Sequence, residues 1–235
     1  ERALNLDPNL LTAGARLIGK HVEKGGLTQA YRDAQELVRR HPESAQAHFT
    51  LAYVLRYAGL AKEAAAECEQ ALRLDPGSAS LRSCAFAFFQ SGDADRALNF
   101  VDLDAGSEWS RSVTPAILLR QGKVDAARRG ITGMTAGSPW YHEILNACLQ
   151  SQPGTALEAA VQKVEPALVA EPDPEWKYYQ GSILAYCGQQ ELAVRLLQGA
   201  VAQNYCAREA LDADPLLSKL RESPRFAELK QASEA

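Results

Sequence analysis

The chain has 235 residues, a formal net charge of −4, and 46% hydrophobic and 23% charged residues. That length can bury a sizeable core, and the acidic balance offers no overall basic field to nucleic acid or anionic lipid. No apolar run approaches the roughly 18–20 residues of a membrane span, and the first residues are polar and helix-like, unlike a signal peptide.

The chain opens on "ERALNLDPNL", and residues 69–78 read "EQALRLDPGS", with six of ten positions identical. Residues 1–8 therefore read as the tail of a truncated repeat. Pro8, Pro42 and Pro76 lie 34 apart and each stops a helix. Gly25 is followed five residues later by Ala30, and the same spacing recurs at Gly59/Ala64, Gly92/Ala97, Gly122/Ala127, Gly154/Ala159 and Gly188/Ala193. Glycine suits the left-handed turn that ends one helix, and alanine suits the close approach of the next. Leu51, Val54, Leu55 and Ala58, then Ala64, Cys68, Ala71 and Leu72, fall at helical spacing. A helix–turn–helix unit repeated about six times follows, with no sustained alternation that would indicate a strand.

The glycine steps are 34, 33, 30, 32 and 34, so the third and fourth repeats are short. Pro115 predicts a late start or a kink in the fourth repeat's first helix, and Pro166 does the same in the fifth repeat. Ser138-Pro139, Asp173-Pro174, Asp214-Pro215 and Ser223-Pro224 each pair a capping residue with proline at the first helical position. The tail from residue 205 to 235 lacks the glycine–alanine spacing. Its Leu216, Leu217, Leu220, Phe226 and Leu229 are placed to cover the last repeat as a cap.

These features resemble the tetratricopeptide repeat (TPR) family over about residues 1–204. The likeness is closest at residues 45–76, through His48, Leu51, Ala52, Gly59, Ala64, Cys68, Ala71 and Pro76. A second good match is "PEWKYYQGSILAYCGQQELAVRLLQGAV", with Gly181, Gly188, Ala193 and Ala200 in register. The resemblance implies an all-α fold, an α-solenoid of about six repeats over residues 9–204 with capping helices in 205–235. The tail also looks like those that end TPR arrays in bacterial signalling proteins. Met134 is the sole methionine, so the chain is expected to be part of a longer protein, with this tail at its natural C-terminus.

Candidate chemistry is sparse. His21, His41, His48 and His142 show no metal-ligand spacing and read as surface or packing histidines. There is no phosphate loop and no nucleophile elbow. Acidic stretches such as "DLDAGSE" and the pairs Arg39-Arg40 and Arg128-Arg129 read as solvated faces. No catalysis, cofactor or metal is expected. Five scattered cysteines (Cys68, Cys84, Cys148, Cys187, Cys206) read as reduced core fillers, which places the chain in the cytoplasm.

Surface remains. In TPR arrays the first helices line a concave face, and the resemblance assigns to it Gln46, Phe49, Tyr53, Arg56 and Tyr57. It adds Arg82, Phe86, Phe89 and Gln90, then Glu175, Tyr178, Ser182 and Tyr186, with Trp109, Arg120 and Tyr141 as further candidates. Aromatic and arginine side chains dominate interface hot spots, so Phe49, Tyr53, Arg56, Tyr57, Arg82, Phe86, Phe89, Tyr178 and Tyr186 are the expected partner-binding residues. The alternative for Phe86 and Phe89 is core. The Lys and Asn of a chaperone-tail clamp have no counterpart at Ala15/Gly19, Phe49/Tyr53, Arg82/Phe86 or Tyr178/Ser182. The expected function is a non-catalytic scaffold that binds a protein or peptide, within a larger signalling protein. An architectural spacer or dimerisation array is the alternative, with an enzyme behind both.

Overall fold

The computed structural model describes residues 10–132, 140–150 and 154–234. The expected tail at residues 1–8 and the helix start at Ser138-Pro139 lie outside the described residues. Within them the chain is all-α, with fourteen α-helices, a few 3₁₀ turns and no strand. It divides into two compact units. One holds the residues up to Leu103 together with Gln203–Ala210, and the other holds Asp104–Ala202 and Leu211–Ala235.

The first unit contains α1 (Leu11–Glu23), α2 (Leu27–Arg40), α3 (Ala45–Tyr57), α4 (Ala61–Leu74), α5 (Ala85–Gln90) and α6 (Ala94–Asp102). Helices α1, α3 and α5 end in one construction. Gly25, Gly59 and Gly92 take φ of +82°, +75° and +87°. The next amide reaches back to the carbonyl five residues earlier: Gly26 to His21, Leu60 to Leu55 and Asp93 to Phe88, at 2.8–3.0 Å. This satisfies carbonyls that a helix end would leave unpaired. The following helix then presses Ala30, Ala64 or Ala97 into the seam, each fully buried. Ser44 and Asp93 cap α3 and α6 by accepting from the amides of Ala47 and Arg96. The third repeat is irregular as expected. It begins as a 3₁₀ stretch, Ala79–Cys84, and its second helix α6 has only nine residues.

The second unit contains α7 (Glu108–Arg120), α8 (Val124–Thr132), α9 (Trp140–Cys148), α10 (Gly154–Val169), α11 (Pro174–Tyr186) and α12 (Gln190–Ala202). The turns at Gly122 and Gly188 repeat the same construction, with Lys123 bonding Leu118 and Gln189 bonding Leu184. Two expectations are corrected. Helix α7 starts at Glu108, capped by Ser107, and runs through Pro115 instead of starting late. Gly154 is no turn: it is the first residue of α10, and Ala159 is exposed while Leu157, Val161, Val164 and Leu168 are buried. The fifth glycine–alanine pair shares the spacing without the structure.

The C-terminal segment enters this unit through α13 (Arg208–Ala213), whose last residues belong to it, and ends in α14 (Pro224–Glu234). Leu216, Leu217, Leu220, Phe226 and Leu229 are all buried. Asp214 anchors the segment. One carboxylate oxygen accepts from the Leu216 amide at 3.0 Å, and the other accepts from Arg120 at 2.7 Å and from the Tyr178 hydroxyl at 3.2 Å. Arg120 also donates to Ser182 Oγ and to the Ala116 carbonyl. Both side chains of the pair are almost wholly buried, at 2% and 3% exposure.

The cysteines correct a third expectation. Cys68 is bonded to Cys84 within the first unit and Cys148 to Cys187 within the second, which leaves Cys206 as the free thiol. A cytoplasmic placement rested on reduced cysteines and loses its support.

Two outcomes follow. Removing one partner of a buried ion pair typically costs about 3–5 kcal/mol. Urea unfolding of Asp214→Ala should therefore show a loss of that size, larger than the loss in a variant that also replaces Arg120 with methionine. Thiol titration of the unfolded, unreduced chain should count one cysteine, and titration after reduction should count all five.

Candidate functional site

On α3, residues four apart share one face, so Phe49, Tyr53 and Tyr57 form a row. Ring centroids are 6.5 Å apart between Phe49 and Tyr53 and 5.0 Å apart between Tyr53 and Tyr57. The row continues off the helix to Tyr205, which meets Tyr57 edge-on at 5.2 Å. Exposure falls along it. Phe49 and Tyr53 are half-buried, while Tyr57 and Tyr205 are each 1% exposed.

Beside the open end lies a groove of about 690 Å³ between α1 and α3. Leu17, Gly19 and Lys20 of α1 face Gln46, Phe49 and Tyr53 of α3 across it. Small residues keep it open: a Cβ built on Gly19 would meet no atom within 4 Å. The Tyr53 hydroxyl donates to Glu23 at 3.0 Å and pairs with the Tyr57 hydroxyl at 2.9 Å. With the Tyr53 proton committed to Glu23, Tyr57 is the donor in that pair. Arg16 and Lys20, one turn apart on α1, are exposed at the rim. The groove is an apolar trough with a carboxylate-tethered tyrosine and mixed charge. Among the described residues no group of His, Cys, Asp and Glu could hold a metal ion.

Other expected partner-binding residues are in the interior. Arg56 is 1% exposed, stacked over the rings of Tyr53 (4.7 Å) and Phe86 (5.4 Å), and donates to the Ser83 carbonyl. Phe86 and Phe89 pack edge-on against each other at 5.1 Å and are buried, which is the core alternative weighed above. Tyr57 is covered by Tyr205, and Gln90 donates to the Tyr205 hydroxyl. In the second unit Tyr178 is held by Asp214; burial, and then the Asp214 charge, push its hydroxyl well above the ordinary tyrosine range. Arg120 and Ser182 join the same buried cluster. Arg82 and Tyr186 are half-buried, and Arg82 lies in the 3₁₀ stretch before α5. The Tyr141 side chain lies outside the described residues.

Sequence reasoning missed the α1 wall, Tyr205 and Asp214 as parts of these faces. Leu17, Gly19 and Lys20 were within reach, since α1 is the first helix of its repeat. Tyr205 and Asp214 lie beyond the last repeat, where the period gives no register.

The tetratricopeptide repeat family profile matches residues 20–79, all within the first unit. Among solved structures, a tetratricopeptide repeat protein from Parabacteroides merdae aligns over 100% of this chain and 89% of its own, at 17% identity and TM-score 0.58. YrrB, a TPR protein with an unusual peptide-binding site, aligns over 90% and 95% at 17% identity and TM-score 0.44. The Naa15/Naa10 complex bound to HypK-THB aligns over 94% of this chain and 36% of its own, also at 17% identity, with TM-score 0.48. No curated protein matches the sequence. The fold is that of the all-α TPR solenoid class.

The contrast between open and buried positions is measurable. Gly19→Ala should raise stability by about 0.5–1 kcal/mol, since the methyl enters open space and alanine favours the helix. Tyr57→Ala should lower it by about 3–5 kcal/mol, as for other buried aromatics. Denaturant midpoints of the two variants, compared with wild type, check both.

Proposed function

We propose that this chain is a non-catalytic interaction scaffold that receives a segment of a partner protein in the α1–α3 groove of its first unit, with Phe49 and Tyr53 as the floor. The observation that carries the reading is the half-buried Phe49–Tyr53 pair beside an open trough of about 690 Å³. The seams of the repeat use alanine, so these rings are left over from core duty, and large rings bring binding area at small entropic cost. TPR units generally mediate protein–protein contact, and the profile match covers all of the α3 wall and the end of α1. No phosphate-binding or basic tract suggests nucleic acid, and among the described residues no helix is long and apolar enough to cross a membrane.

The likeness of the tail to bacterial signalling arrays supports a place within a larger protein of that kind. The two disulfides favour an oxidising compartment over the cytoplasm. The spacer reading draws on a different observation: part of the inner surface of each unit is covered by the chain's own C-terminal residues, Tyr205 in one and Asp214 in the other.

A plug separates the two. Gly19→Trp points an indole into the trough from a position where a Cβ meets nothing within 4 Å, and circular dichroism checks that the fold is kept. Peptides selected from a random display library on the wild-type chain should lose at least about tenfold in affinity for the plugged chain, the scale of one lost hot spot. Tyr53→Ala should act the same way. Selection that yields no saturable binder, or binders indifferent to the plug, would favour the spacer.

A further inference from the structure

Between α12 and α13 the chain leaves its helical register, and residues 203–207 join the first unit. Three consecutive residues of this strap are held in three different ways. Asn204 donates its side-chain amide to the Gly25 carbonyl at 3.0 Å. Tyr205 inserts its ring against Tyr57, and its hydroxyl accepts from Gln90. The Cys206 amide donates to the Tyr57 carbonyl at 2.9 Å. The partners Gly25, Tyr57 and Gln90 all lie at or near the ends of first helices. Gly59 is shaped for the same visitor: a Cβ there would stand 1.8 Å from the Cys206 carbonyl oxygen. This glycine is thus required twice, once by its own φ and once by the strap.

We infer that the Tyr57–Gln90 end of the first unit is a tyrosine-recognition slot, filled in cis by Tyr205 and open to a tyrosine on a non-helical segment of a partner protein. The seated strap states the chemistry of the ligand: a phenol ring for the edge-on contact, a hydroxyl to accept from Gln90, and a following amide for the Tyr57 carbonyl. The strap is suited to exchange. It is neither helix nor strand, and Asn204 turns the chain at φ +62°, a left-handed conformation that asparagine tolerates. The slot adjoins the row that begins at Phe49, through the Tyr53–Tyr57 ring contact at 5.0 Å. A tethered tyrosine has a millimolar effective concentration, which keeps the slot closed to casual ligands and lets in a partner that also holds the groove. For a partner's entry the inference rests on the groove reading, but the slot itself is tested apart from it, because the Gly19→Trp plug leaves the slot untouched.

The test uses the full chain and a fluorescent peptide of residues 201–209 carrying Cys206→Ser. In the Tyr205→Ala chain the slot is vacated, and the peptide should bind saturably. The same peptide with Tyr205→Ala should bind at least about tenfold more weakly, and with Tyr205→Phe roughly fivefold more weakly, because Gln90 loses its acceptor. Wild-type chain should bind the peptide about a hundredfold more weakly than the vacated chain, since the tether competes. A second readout needs no variant of the chain. Cys206 is the free thiol and is half-buried on the seated strap, so a rise in its alkylation rate on wild-type chain without reductant reports strap release. Millimolar tyrosine peptide should speed that alkylation, and the alanine version should not. Equal affinity for tyrosine and alanine peptides, or no binding to a Tyr205→Ala chain that keeps its helical circular dichroism, would overturn the inference. If that chain does not fold, the alkylation rate decides: acceleration by the tyrosine peptide alone supports the slot, and an unchanged rate overturns it.

Discussion

Helix pairs that close through alanine must put most of their large side chains somewhere else. In each regular turn a left-handed glycine ends one helix and a buried alanine seats the next. That close approach leaves little room for rings beside the alanine, although Phe88 of α5 and Phe100 of α6 stack across one seam at 4.9 Å. Other large side chains stand on the face lined by the first helices: Phe49, Tyr53, Arg56 and Tyr57 on α3 and Tyr178 on α11. Such a face cannot stay wholly bare, because aromatic rings in water forfeit burial worth about 25 cal/mol per Å². Most of it is covered by the protein itself. What is left uncovered is the candidate site.

Covering an arginine is harder than covering a ring, and Arg56 and Arg120, the two buried among the described residues, are handled differently. Arg120 meets a full charge, Asp214, with the remaining bonds supplied by Ser182 and a backbone carbonyl. Arg56 lies between two rings, over Tyr53 and Phe86, with the Ser83 carbonyl as an acceptor. Cation–π contacts of this desolvated kind reach about 2 kcal/mol. They also add a contact to the Tyr53 ring, which lines the groove. The 3₁₀ stretch that carries Ser83 has poorer hydrogen-bond geometry than an α-helix. The Cys68–Cys84 disulfide ties its end to α4, and closing a loop of that length contributes about 3 kcal/mol in the chain-entropy account.

Legibility followed the period. Gly25, Gly59, Gly92, Gly122 and Gly188 were readable as turns because each needs φ > 0, a demand few residues but glycine meet. Gly154 shared the spacing and misled, since spacing alone does not distinguish a glycine that ends a helix from one that begins it. Pro115 was read as a late start or a kink, and the late start is excluded because the helix already runs from Glu108. Proline there removes the amide that would bond the Arg111 carbonyl, and the Ser112 and Thr114 hydroxyls bond the carbonyls of Glu108 and Ser110, a pattern that bends helices. The cap leucines were legible as a helical apolar stripe with no other face to cover. The disulfides were not: Cys68 and Cys84 share no motif, and only the fold brings them together. The site was half legible. Helical spacing put Phe49, Tyr53 and Tyr57 on one face, but which of them stays open depends on Tyr205, some 150 residues away and outside the repeat.

Position along α3 therefore has a functional consequence that residue type lacks. Three aromatics at four-residue spacing are chemically alike, yet they span a gradient from solvent to interior. Phe49, at the open end, has no polar tip and gains most from a ligand that removes it from water. Tyr53, in the middle, is held by Glu23 and Tyr57 and presents an oriented ring at little entropic cost. Tyr57, at the closed end, is already paid for by the chain's own tyrosine. A ligand entering from the Phe49 end meets apolar surface first, an oriented tyrosine next, and a side chain of its own chemistry last. It has an incentive to advance only if it carries a residue that replaces Tyr205 like for like. On the two proposals above, the row sets both where a partner segment begins and which residue it must bring to the far end.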